Sequence, residues 1–184
     1  MIRVAAFILL VWGLSALVGA LGQVFSLTLV LPATTAILVA QLAFSPRVPV
    51  PIVVGASVVA GYLEDLEQGA PVGTLALSYG LCGLALTWLA ARLAVRGWVT
   101  RALLAGLAAA VVDLLTFGVL WSLAGPLSVY RPALVASLWD ARWHVLATML
   151  AAPPVWGLAD RYFGALGLPV ATPASPGTAG GERP

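Results

Sequence analysis

The chain has no lysine, one cysteine and one histidine, and only 9 % of its 184 residues are charged. Soluble domains carry roughly 25 % charged residues, so this sequence cannot cover a water-facing surface. All nine basic residues are arginines, as codon usage in a GC-rich genome gives, and the abundance of Ala, Gly and Pro fits the same origin. A net charge of +2 is too small and dispersed for nucleic-acid binding. Cys82 has no second cysteine to pair with, which excludes an intrachain disulfide and a cysteine metal cluster. His144 has no spaced His or Cys partner for a metal, and beside Arg142 and Trp143 it reads as an interfacial anchor. Ser-x-x-Lys, His-Glu-x-x-His and glycine-rich phosphate loops are all missing. The reading is a non-enzyme without metal or cofactor.

What the chain does have is apolar length. Hydrophobic residues make up 61 % and mean hydropathy is +1.04. Apolar stretches run over residues 4–21, 25–44, 50–63, 72–93, 102–124 and 143–158. At about 20 residues per crossing, these predict an all-α membrane protein with six transmembrane helices over residues 1–167. The third stretch is short and entered by Pro49 and Pro51, so it is expected to be tilted, kinked or only partly spanning. Residues 126–142 form the longest outer connection; Arg131-Pro132 could start a short interfacial helix or open the last helix early. From residue 168 to 184, Pro, Gly and Ala dominate, predicting a disordered cytoplasmic tail.

Arginine placement orients the chain. With a cytoplasmic N-terminus, Arg3, Arg47, Arg92, Arg96, Arg101, Arg161 and Arg183 lie inside and only Arg131 and Arg142 outside. The positive-inside rule then puts both termini in the cytoplasm and residues 64–73 outside.

Asp113 is the one carboxylate deep in an apolar stretch. A charge there is costly unless it faces the bundle interior. It shares a small-residue face with Ala102, Gly106, Ala109 and Ala110, suited to close helix contact. A structural hydrogen bond, a ligand or proton site, and a contact with another membrane protein all stay open for it. Thr74, Ser78 and Cys82, with Gly80, Gly83 and Thr87 nearby, give the fourth stretch a comparable packing face.

The most informative segment is residues 61–73, where Glu64, Asp65 and Glu67 end one apolar stretch and Gly69, Pro71 and Gly73 lead into the next. Three readings compete: a solvated loop, a cap by Asp65 on the turn or the following helix, and a docking point for an arginine on an extracytoplasmic partner.

Gly61, Asp65, Gly69, Pro71, Gly73, Ala76, Leu77 and Tyr79 together resemble the hallmark of the MreD family of rod-shape membrane proteins. Val72 stands where the family usually has leucine. Pro32, and a last stretch with Pro153-Pro154 before Arg161, also fit. Glu64 and Glu67 make the segment more acidic than the family pattern. The resemblance implies a non-enzymatic scaffold of the bacterial inner membrane. It would bind MreC and, through it, RodA, a class B penicillin-binding transpeptidase and MreB, so helping to organise peptidoglycan synthesis. It also implies a fold similar to the substrate-binding subunits of energy-coupling-factor vitamin transporters. Such a vitamin-binding subunit is the alternative function, with Trp121, Tyr130, Trp139 and Trp143 near the outer side.

Overall fold

A computed structural model of the chain describes residues 2–25, 31–45, 48–68, 71–92, 97–124 and 131–166. These form six α-helices, with no strand among the described residues: α1 (Ile2–Phe25), α2 (Thr34–Ala43), α3 (Val50–Gln68), α4 (Thr74–Arg92), α5 (Trp98–Leu123) and α6 (Arg131–Ala165). Segment 168–184, Gly69 and Tyr130 lie outside the described residues.

Three helices are long and apolar enough to cross a membrane, over Val4–Val24, Thr74–Arg92 and Trp98–Leu123. Large apolar side chains such as Leu9, Trp12, Leu77, Leu81, Leu103, Leu107 and Leu150 point outward. A helix that is apolar on its outer as well as its inner face belongs in lipid. The chain is a membrane protein.

The helix boundaries revise two expectations and decide between the alternatives of a third. The second apolar stretch does not make a full-length helix. After Pro32 it yields only the ten residues of α2, about 15 Å of helix, whereas α3, expected to be the short one, has 19 residues. Of the two readings for Arg131-Pro132, the early opening of the last helix holds, and residues 131–142 belong to α6. That helix runs unbroken for 35 residues, with Pro153 and Pro154 inside it.

α2 is the axis of the bundle and touches each of the other five helices. Ala36, Ile37, Leu38, Val39 and Ala40 are fully buried. α3 and α4 form the tightest pair, an antiparallel hairpin, and α5 and α6 form a second. Glycines permit the first contact. A β-carbon on Gly80 would meet Val58 Cγ2 at 2.7 Å, and one on Gly83 would meet Ser57 Oγ at 2.6 Å. In the second pair the small face of α5 meets α6, where a β-carbon on Gly106 would clash with the Met149 side chain.

Candidate functional site: a capped turn above a buried polar cluster

The acidic segment is not a loop. α3 continues through Gln68, placing Glu64, Asp65 and Glu67 on its last turns. Gly61 lies one helical turn before Asp65, on the same face, and α4 passes directly over it. A β-carbon at residue 61 would sit 2.5 Å from the Leu75 carbonyl oxygen and 2.8 Å from Ala76 Cα. That approach brings the start of α4 within reach of Asp65. Its Oδ2 accepts from the N–H groups of Gly73 (2.9 Å) and Ala76 (3.2 Å), and its Oδ1 from that of Leu75 (2.9 Å). A carboxylate thus satisfies donors that the first turn of a helix leaves unpaired, and it sits at the positive end of the helix dipole. Gly73 closes the turn with φ +98°, a region costly for any residue with a β-carbon.

Asp65 is 1 % exposed, so its three bonds leave no face for an arginine from a partner. Pro71 and Val72 are exposed at the turn. Glu67 is exposed too and accepts a 2.8 Å bond from Ser15 Oγ, tying α3 to α1.

Glu64 turns inward. Its Oε1 accepts from Gln68 Nε2 at 2.9 Å. The carboxylate adjoins the hydroxyls of Thr35 on α2 and Tyr79 on α4, and lies within electrostatic reach of His144 on α6. Even so, neither Glu64 Oε2 nor Thr35 Oγ1 completes a hydrogen bond, although both are shielded from solvent. Beside them, His144 Nδ1 lies 3.0 Å from Asp113 Oδ2. With a carboxylate as acceptor the Nδ1–H is the donor. His144 is therefore the α6 partner of Asp113, not a free interfacial anchor.

Hydroxyls extend the network. Thr148 Oγ1 donates to the His144 carbonyl at 2.7 Å and accepts from the Ala33 N–H at 2.9 Å, so α6 caps the buried start of α2. Thr116 Oγ1 donates to Ser78 Oγ at 3.3 Å, linking α5 to α4, and Cys82 Sγ lies 3.7 Å from the Ala108 carbonyl oxygen. Buried polar groups left without partners are rare in folded proteins, and here two adjoin each other among side chains from five helices.

Of the residues singled out in the sequence, Gly61, Asp65 and Gly73 form one unit. Asp113 lies in the cluster beneath it, and Gly69 falls outside the described residues. Sequence reasoning missed the inward placement of Glu64 and the roles of Thr35, His144 and Thr148. For Glu64 the signal was present: residues 53, 57, 60, 61 and 64 recur at helical spacing, and the first four of them are buried. Among the described residues, no group of three or more His, Cys, Asp or Glu side chains is arranged to hold a metal. Compared with known families, curated proteins and solved structures, the chain matches none.

Proposed function

We propose that this protein is a non-enzymatic scaffold of the bacterial elongation machinery, an MreD-like six-helix component of the inner membrane that binds an MreC-like partner. In this reading all six helices lie in the bilayer, both termini are cytoplasmic and the α3–α4 turn faces outside. RodA, a class B penicillin-binding transpeptidase and MreB associate indirectly through the partner. The reading rests on one observation above others: three of the residues that carry the resemblance act as a single device. Gly61 admits α4, Asp65 caps it and Gly73 makes the reversal. The partner's single transmembrane helix would lie against the outward apolar faces, since Asp65 itself is enclosed.

The test is purification of the tagged protein from its native membrane in mild detergent, with stoichiometric companions identified by mass spectrometry. An MreC-like protein with one transmembrane helix supports the reading. An ATPase pair with a coupling membrane subunit overturns it in favour of a vitamin-transporter binding subunit. One observation speaks for that second reading: the unpartnered Glu64 and Thr35 oxygens offer a buried polar site to a small ligand.

A further inference from the structure

At the end of the bundle opposite the α3–α4 turn, α2, α5 and α6 leave a cleft between them. It is lined by Gln41, Phe44, Arg101, Trp156 and Asp160 and spans about 310 Å³ including its open mouth. Apart from that mouth the cleft holds about 30 Å³, room for a group the size of a water or an ammonium ion.

The polar groups are held apart in a defined order. Gln41 Nε2 donates to Asp160 Oδ1 at 2.9 Å, which fixes both side chains. This leaves Gln41 Oε1, shielded from solvent, as an acceptor without a donor. Trp156 donates its indole N–H to the Ile37 carbonyl at 3.1 Å, so its ring is locked as a wall and has no donor to offer. Arg101 lines the same cleft and is close enough to Asp160 to act on its charge, yet makes no ion pair among the described residues. Arg101 stands in the first turn of α5, whose N-terminus has no side-chain cap. Exposed N–H groups and the helix dipole favour an anion there.

A carboxylate and an aromatic wall thus line the cleft together with a cation in the first turn of α5. We propose that this cleft binds the headgroup of a phospholipid bearing a primary ammonium, of the phosphatidylethanolamine type. The ammonium donates to Asp160, which Gln41 holds in place, and the phosphate meets Arg101. A bilayer lipid is the source because this end of the bundle carries interfacial marks: exposed Trp88 and Trp98, with Arg92 stacked 4.4 Å over Trp88. A trimethylammonium headgroup has no N–H to give Asp160, and a glycerol headgroup has no cation for it. The proposal rests on the membrane placement of the bundle and is independent of the scaffold role.

Native mass spectrometry of the delipidated full-length protein, with phosphatidylethanolamine, phosphatidylcholine or phosphatidylglycerol added back, tests it. Phosphatidylethanolamine should be retained at least about fivefold better than either competitor, the scale of one charge-assisted hydrogen bond. Asp160→Asn should erase the preference over phosphatidylglycerol while the protein stays folded, and Arg101→Gln should weaken retention of all three lipids. Equal retention of the three by the wild type, or an unchanged order in Asp160→Asn, overturns the proposal. Soluble O-phosphoethanolamine binding as tightly as the lipid would overturn the bilayer source. Its failure to compete, alongside the expected lipid order, supports it.

Discussion

Leu75 runs so close to Gly61 that its carbonyl oxygen occupies the place a β-carbon on residue 61 would need, 2.5 Å away. Both partners in this contact are backbone, so neither can swing aside. Gly61→Ala must push α4 off α3 and lengthen the bonds to Asp65. Overpacking of this kind costs about 1–3 kcal/mol. Thermal unfolding in detergent should show a lower midpoint than wild type; an unchanged midpoint would mean that the α3–α4 contact is looser than described.

Asp65 should be a stability residue before it is anything else. Asp65→Ala strands three N–H groups at the start of α4 and should cost on the order of 3 kcal/mol, since bonds to a charged acceptor are the stronger kind. Asp65→Asn keeps one acceptor oxygen and should fall between Ala and wild type. Expression and thermal midpoint of the three proteins give the order, and Asn equal to Ala would argue against the capping role.

The Asp113–His144 pair ties α5 to α6. A double-mutant cycle with Asp113→Asn and His144→Gln should return a coupling of about 1 kcal/mol, because groups sharing one half-buried charge-assisted bond are not additive. Additive losses would show that the two side chains act separately.

The two glutamates on α3 should behave differently. Glu67 is exposed, and Glu67→Gln should change stability by no more than about 0.5 kcal/mol. Glu64→Lys would force a cation and a longer side chain in beside Thr35 and Tyr79 and should abolish folded protein, judged by size-exclusion profile. A monodisperse Glu64→Lys protein would place this side chain outside the bundle.

At Gly73, φ is +98°. Gly73→Ala should cost about 1–2 kcal/mol from backbone strain alone, since no neighbour stands within 4 Å of the added carbon. Gly13, equally uncrowded but helical, is the control: Gly13→Ala should be neutral or stabilising by up to about 1 kcal/mol. Equal responses at the two sites would remove the conformational argument.

Much of this was legible along the chain. Mean hydropathy and scarce charge give membrane helices without reference to any contact, and the glycines and proline at residues 69–73 mark a reversal between two of them. The small faces of α4 and α5 follow from three- and four-residue spacing; Thr74, Ser78 and Cys82 of the first and Ala102, Gly106 and Ala109 of the second are buried. Helix lengths read less well. In an almost uniformly apolar sequence hydrophobicity does not mark where a helix starts, so the shortness of α2 was not determined by it, and the early start of α6 was one of two readings it left open.

What the sequence by itself determined is therefore local: which segments are helical and apolar, and where small residues permit close approach. The tertiary structure alone decided which polar groups meet. Glu64 and Asp65 are adjacent in sequence, yet one adjoins hydroxyls of α2 and α4 while the other caps α4. His144 finds Asp113 across 31 residues, and Gln41 finds Asp160 across 119. In an apolar bundle such groups must find one another or stay unsatisfied. The choice of partner depends on how α2 threads the other five helices, and that long-range packing has no periodicity to read in advance.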